Sequence, residues 1–461
     1  MFSVKTSPAG EKHKARYVAQ GFSQEKNVDY DETFAPTARM SSLRVFLQIA
    51  ASLQLLVHQM DVRTAYLNAE LDREVFVRQP QGYEVLDEEG NPLVCRLKKS
   101  LYGLKQSGRL WNETIHKFFI SNGFIQSKAD HCIYSKHEGN KIILILLWVD
   151  DIIIASNCQE LLIAFKNIMK SRFKMSDLGI LHWFLGINFV CSEESITMDQ
   201  SSYIDKLLER FEMTNCFTVK TPCESCVVED NENSQILNDP SLFREIVGSL
   251  IYIMCGTRPE LSFVVTYLSQ FMSKPKVCHL NAAKRVLKYL KGTKEKKIVF
   301  SKIKMSEIAL KGFSDSDWGS GHDRKSVSGY CFTLQENGPI ISWKSKKQSI
   351  VALSTCEAEY VAPTYAIQES LFLKQLVCDM LNLSDLKIHI GVDNQSAMKL
   401  SKNPISHQRS KHIDIKYHFI RDIISKGLVE LYYIPSQHNV ADLFTKPLSN
   451  PRILSFQSVY G

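Results

Sequence analysis

The sequence predicts a multidomain protein of α+β and α/β regions, and three observations predict it. The chain has 461 residues, more than one typical domain holds. In "LILLWVDDIIIAS" (144–156) an apolar run is broken by two adjacent carboxylates and then resumes, the shape of a hairpin with acids at its tip. Beyond residue 307 a separate pattern of strand, long helix and strand begins. The hydrophobic share of 44% and charged share of 23% are those of a soluble globular chain able to bury sizeable cores.

Residues 1 to about 220 mix short strands and helices. Residues 221–240, "TPCESCVVEDNENSQILNDP", are polar, lack apolar periodicity and are bounded by prolines, which reads as a linker. Residues 241–306 read as helical. From 307 to 450 lies the second α/β region: "EIALKGFSDSD" as a strand, "EAEYVAPTYAIQESLFLKQLVCDML" as a long helix with Pro363 awkward in its first turns, "LKIHIGVDN" as a strand and "HNVADLFTKPL" as a short helix start. Residues 451–461 are a tail. Met1 is followed by polar sequence, which predicts no signal peptide. The longest apolar stretch, 142–149, is far shorter than the roughly 18 residues a spanning helix needs, so no membrane partner is expected. Twelve Cys form no framework, and the one CxxC, Cys223 to Cys226, has no second pair to complete a zinc site.

The net charge of +7 is unevenly distributed. From Lys274 to Lys304 there are eleven Lys or Arg and one acid, Glu295. Within "NAAKRVLKYLKGT", Ala283, Val286, Leu287 and Leu290 recur at helical core spacing, which puts Lys284, Lys288 and Lys291 on the other face. Such a stripe is either a solvated helix face or a track for a polyphosphate backbone.

Desolvating a carboxylate costs several kcal/mol unless it is paired or bound to a metal. Asp150 and Asp151 therefore need compensation, and Asp61, at a strand end after the alternating "LLVHQMD", can join them. Three carboxylates from two strands could hold two divalent cations about 3.5–4 Å apart, an arrangement that serves in-line phosphoryl displacement. The plain alternative is an acidic surface turn.

"WVDD" resembles the YxDD box of reverse transcriptases. "KARYVAQGFSQEKNVDYDETFAPTARMSSLR", "QMDVRTAYLNAEL", "SLYGLKQSGRLW" and "FKMSDLGILHWFLGI" resemble successive blocks of the copia-type retrotransposon reverse transcriptase. "VGSLIYIMCGTRPELSFVVTYLSQFM" and "AAKRVLKYLKGT" resemble the segment that succeeds those blocks in the family. "FSDSDWGSGHDRKSVSGYCF", "STCEAEY", "VDNQSA", "RSKHIDIKYHFIRD" and "NVADLFTKPL" resemble its ribonuclease H. The resemblance runs through nearly the whole chain in order.

It implies a right-hand polymerase with fingers and palm (1–220), a thumb or connection (241–306) and a ribonuclease H-like domain (307–450). Asp61, Asp150 and Asp151 would be the palm metal ligands, and the helix of residues 281–292 would track the duplex backbone through Lys284, Lys288 and Lys291. Lys14 and Arg16 fall where the family's fingers meet the incoming triphosphate. Tyr66, five residues beyond Asp61, stands at the place of an aromatic steric gate, where a ring leaves no room for a 2′-hydroxyl. In the ribonuclease part the family motifs point to Asp315, Glu359, Asp393 and Asp442. Asp315 is preferred to Asp317, and Glu359 to Glu357, which lies about 200° away around the helix. His438 could assist proton transfer or be a solvent histidine.

The implied cofactor is Mg²⁺, two ions per active site, with Mn²⁺ as a substitute. The implied partners are an RNA template, a primer, an RNA–DNA hybrid, deoxynucleoside triphosphates and other parts of the Pol polyprotein such as integrase. The implied location is the cytoplasm, in a virus-like particle, or the nucleus. The sequence departs from the family at Trp148 (usually Tyr), Gly108 (usually Pro), Ala69 (usually Gly) and Pro363, and it begins inside the fingers block. Two readings remain: an RNA-directed DNA polymerase with hybrid-specific ribonuclease activity, or a decayed remnant that keeps a nucleic-acid-binding fold.

Overall fold

Two β-branched, apolar runs pair as antiparallel strands, Lys141–Trp148 and Asp151–Ser156, and their buried residues seed the first core. The computed structural model describes residues 2–7, 10–15, 17–224, 234–319, 323–396, 398 and 411–456. Arg16, residues 225–233 of the expected linker and residues 457–461 of the tail lie outside the described residues; Lys14 falls in the strand Gly10–Ala15. The chain divides into two compact units, residues 1–38 with 56–180, and residues 39–55 with 181–461.

The first unit is built on a six-stranded antiparallel sheet. Its order is Met175–Ile180, Leu56–Val62, Asp151–Ser156, Lys141–Trp148, Ile133–Glu138 and Ile125–Gln126. The helices Ser107–Ser121 and Gln159–Arg172 supply Phe119 and Phe165, which close with Phe124 and Tyr134 into a ring cluster at centroid distances of 4.8–6.2 Å. Gly108 occupies the first turn of Ser107–Ser121, where a backbone N–H has no intrahelical partner in any case. Ala69, buried with φ of −96°, is in a conformation open to any residue.

Among the described residues the second unit holds two sheets. One is antiparallel, in the order Trp183–Phe184, Ile187–Cys191, Ser195–Asp199, Ile298–Ser301. The other has five strands in the order Ser342–Lys347, Val327–Thr333, Leu310–Asp317, Ile388–Val392, Glu430–Tyr433; the first three are antiparallel and the last two run parallel to Leu310–Asp317. The antiparallel sheet of the first unit and this mixed sheet bear out the expected α+β and α/β multidomain class.

The expected boundaries at 220 and 306 are not where the compact units divide. Strand Ile298–Ser301, inside the region read as wholly helical, pairs with Ser195–Asp199, so segments on both sides of residues 221–240 share one sheet. Residues 223 and 237 pack on the core of helices Ser241–Gly256, Ser262–Ser269 and Val277–Gly292. The helix Met40–Ser52 also belongs here, with every residue but Met40 buried. Its Arg44 is fully desolvated yet donates to the carbonyls of Ile341 (2.7 Å), Cys255 (2.8 Å) and Gly256 (3.0 Å), and its guanidinium lies 3.7 Å from the Trp343 ring centre. That one side chain ties the helix to both halves of the unit.

The helix Thr355–Leu381 passes through Pro363 without a break. The ring removes one helical N–H, the one that would bond the carbonyl of Glu359. "NVADLF" forms a 3₁₀ turn, Val440–Phe444, rather than the α-helix start expected, and Asn439 fixes it by donating to the Ser314 carbonyl (3.1 Å) and accepting from the Ala441 N–H (3.1 Å).

Candidate active sites

In the first unit Asp61 and Asp151 are direct partners across antiparallel strands, and Asp150 sits in the turn with Val149. All three carboxylate residues are half-buried. Val149 has φ of +57°, a conformation costly for a β-branched residue. The turn is held on both sides: the Trp111 indole N–H donates to the Val149 carbonyl (2.7 Å), and the Val62 N–H donates to the Asp150 carbonyl (2.8 Å). Burial, then the charges of Asp150 and Asp61, push the Asp151 carboxyl up to about 6. These three carboxylates supply the oxygen donors that a hard divalent cation takes, although among the described residues only the group in the second unit has its ligand oxygens gathered within 4.8 Å of one another.

Tyr66 lies on the 3₁₀ turn Ala65–Asn68, and burial followed by the nearby Asp150 charge raises its phenol. Its ring meets that of Tyr102 at 4.4 Å. Tyr102 belongs to "LYGLKQ", so this block packs directly on the residue expected to be the gate. Trp148 is half-buried and pairs with Asp151 in the hairpin register.

In the second unit a strand, a helix and a strand end deliver Asp315, Glu359 and Asp393. Each of the three offers an oxygen, and these atoms lie within 4.8 Å of one another. Burial dominates the upward shift of Asp315, to about 7, with the Asp442 and Asp393 charges adding to it and Lys446 opposing it. Glu359 is raised by burial, then by Asp315 and Asp393. Glu357 is used otherwise: its N–H donates to Ser354 at the helix start and its carboxylate accepts from the Leu353 N–H (2.8 Å). Asp317 is half-buried at the end of the strand.

Asp442 stands outside the group of three. Lys446 approaches one of its oxygens at 2.9 Å and Arg452 the other at 2.9 Å. Thr445 donates its hydroxyl to Asp315. Thr445, Lys446 and Arg452 carry no signal in the sequence that marks them as site residues, although Lys446 lies one helical turn past Asp442 in "NVADLFTKPL". His438 is exposed and contacts Gln437.

The basic helix runs Val277–Gly292, with Lys284, Lys288 and Lys291 all half-buried. The segment before the expected linker lies against this face. The Lys288 ammonium is 3.9 Å from the Phe217 ring centre, Lys291 donates to the Cys216 carbonyl (2.6 Å), and Arg285 donates to the Thr221 hydroxyl (3.0 Å). Much of the stripe's charge is thus engaged within the chain, which periodicity alone could not reveal.

Residues 2–225 match the family of reverse transcriptases (RNA-dependent DNA polymerases). The chain is 38% identical to the retrovirus-related Pol polyprotein from transposon TNT 1-94 of Nicotiana tabacum, over 94% of this chain and 33% of that one. It is 36% identical to the retrovirus-related Pol polyprotein from transposon RE1 of Arabidopsis thaliana, over 98% of this chain and 30% of that one. It is 32% identical to the putative transposon Ty5-1 protein of Saccharomyces cerevisiae, over 67% of this chain and the whole of that one. The chain therefore spans about a third of the length of the two plant relatives.

Proposed function

Since the chain belongs to the copia-type retrotransposon Pol polyprotein family, we propose that it is the reverse transcriptase and ribonuclease H portion of such a polyprotein, copying RNA into DNA and cutting the RNA strand of the resulting hybrid. The observation that carries this reading is the Asp61–Asp151 register pair beside a strained, doubly anchored turn bearing Asp150, all within the matched residues 2–225.

Asp61, Asp150 and Asp151 hold Mg²⁺ in the polymerase site, and Asp315, Glu359, Asp393 and Asp442 hold it in the ribonuclease site; Mn²⁺ suits the same oxygen donors. When bound, the ions would neutralise these carboxylates and supply charge stabilisation for phosphoryl transfer. Trp111 and Val62 fix the turn so that the acids need no reordering when substrate arrives. Tyr66, backed by Tyr102, lies beneath the sugar of the incoming deoxynucleoside triphosphate and excludes a 2′-hydroxyl. Lys14 and Arg16 meet its triphosphate. Residues 1–220 act as fingers and palm, 241–306 as thumb or connection and 307–450 as the ribonuclease domain, with the described ends of 221–240 packed against the helices of the thumb rather than spanning free. Lys284, Lys288 and Lys291 approach a nucleic-acid backbone, the last two once their contacts with Phe217 and Cys216 give way. The partners are an RNA template, its primer and the RNA–DNA hybrid, with integrase elsewhere in the polyprotein, and the setting is a cytoplasmic particle or the nucleus.

The test is primer extension by the purified chain on a primed RNA template with Mg²⁺, alongside cleavage of a labelled RNA in a preformed hybrid. Both activities are expected. Hybrid binding with neither activity would leave the remnant reading in possession.

A further inference from the structure

The ribonuclease site is electrostatically lopsided. At one edge Asp315, Glu359 and Asp393 converge with their oxygens within 4.8 Å. At the other, the Lys446 ammonium stands between two of the site's carboxylates, 2.9 Å from Asp442 Oδ1 and 3.7 Å from Asp315 Oδ2. Arg452 takes the second Asp442 oxygen at 2.9 Å, and the Thr445 hydroxyl donates to the same Asp315 oxygen that Lys446 faces. At the Asp315–Asp442 edge, Asp315 Oδ2 and Asp442 Oδ2 thus accept hydrogen bonds from the segment 445–452, while the buried Asp442 Oδ1 has the Lys446 charge beside it but no hydrogen bond.

An ammonium is a compact charge on a flexible stem, and the Lys446 side chain keeps 39% of its surface exposed, so it can be displaced without unpacking a core. While in place it competes with any divalent ion for the same oxygens, and being tethered it does so at high effective concentration. We infer that Lys446 is a built-in monovalent cation of this site: the Asp315–Glu359–Asp393 edge takes one divalent ion directly, and a second binds at the Asp315–Asp442 edge only by displacing the Lys446 ammonium. This rests on the ribonuclease reading and adds to it a residue that sets the affinity for the second ion.

The experiment is calorimetric titration of the full-length chain with Mn²⁺ alone, comparing the unaltered protein with Lys446→Gln, Lys446→Met, Lys446→Arg and Asp393→Asn, each first checked for an unchanged melting profile. Ions held at the polymerase carboxylates are common to all five and cancel in the comparison. Asp393→Asn should lose a tight ion. Lys446→Gln and Lys446→Met should bind the weaker ion of the ribonuclease site at least about tenfold more tightly, the scale on which one adjacent charge shifts a carboxylate equilibrium. Lys446→Arg, which keeps the charge, should stay near the unaltered protein. Gln and Met isotherms that superimpose on the unaltered one, with the Asp393→Asn loss intact, would overturn the role of Lys446. No loss in Asp393→Asn would overturn the metal reading of the site itself.

Discussion

The carboxylates of the first unit come from two paired strands and the turn between one of them and its neighbour, whereas those of the second come from a strand, a helix, a strand end and a 3₁₀ turn far apart in the chain. The first site is half-buried and held in shape by backbone anchors: the Val149 conformation, the Trp111 indole and the Val62 N–H. The second is buried at Asp315 and Asp442 and half-buried at Glu359 and Asp393, and much of what steadies it is charge, from Lys446 and Arg452. A locally assembled site can keep its geometry when one acid is lost. A dispersed one depends on the packing of several elements, so its buried members, Asp315 and Asp442, bear on stability as well as chemistry.

The largest effect expected is at the hairpin. Asp150→Ala removes a proposed metal ligand from a half-buried turn, so primer extension should fall by more than about 10³-fold with the melting temperature nearly unchanged. Extension at a near-normal rate would remove Asp150 from the site. Next in size is Tyr66→Ala, which should raise the ratio of ribonucleotide to deoxyribonucleotide incorporation by about 100-fold, as expected when a steric discrimination is lifted. An unchanged ratio would make Tyr66 an ordinary packing residue against Tyr102.

The same contrast governs what could be read from the sequence. The "DD" run and the alternating residues before Asp61 showed the hairpin, because a strand pair is a local pattern of period two. The four acids of the second site carry no such local pattern. They became legible only through resemblance to family motifs, since the fold and not the spacing gathers them. Lys446 and Arg452 carry no mark in the sequence because a cation's partner is a tertiary fact. The strand Ile298–Ser301 was missed for a related reason: its pairing partner, Ser195–Asp199, lies about a hundred residues away, and four residues show no convincing period. Pro363 looked like a helix breaker, yet buried neighbours on both sides of it, Ala362 and Thr364 among them, hold the helix through the lost hydrogen bond. The basic stripe was legible as a helix face, but not its engagement by Cys216 and Phe217.

A smaller effect separates the sites by pH. Burial foremost raises Asp315 to about 7 and Asp151 to about 6, while in the unfolded chain both titrate near the ordinary value of about 4. Between those limits the metal-free fold holds protons that the unfolded chain has released, so its stability falls as pH rises through that window. A divalent ion bound to the carboxylates offsets this loss. The melting-temperature gain on adding Mg²⁺ should therefore be larger at pH about 8 than at pH about 5, by roughly 2–4 °C for each kcal/mol involved. Equal gains at both pH values would contradict the coupling. The smallest effect expected is at Trp148: Trp148→Tyr keeps an aromatic ring and a hydrogen-bond donor beside Asp151, so extension should change by no more than about tenfold. Recovery by orders of magnitude from an inactive starting protein would instead mark a decayed hairpin.

The central claim is that one chain carries two independent carboxylate sites with separate tasks. It is tested most directly by measuring both activities in Asp393→Asn, a nearly isosteric change that removes a charge from the second unit's cluster. The account predicts loss of hybrid RNA cleavage with primer extension retained within about threefold, well under one tenfold step in barrier. Parallel loss of both activities in a protein that still melts normally would contradict it.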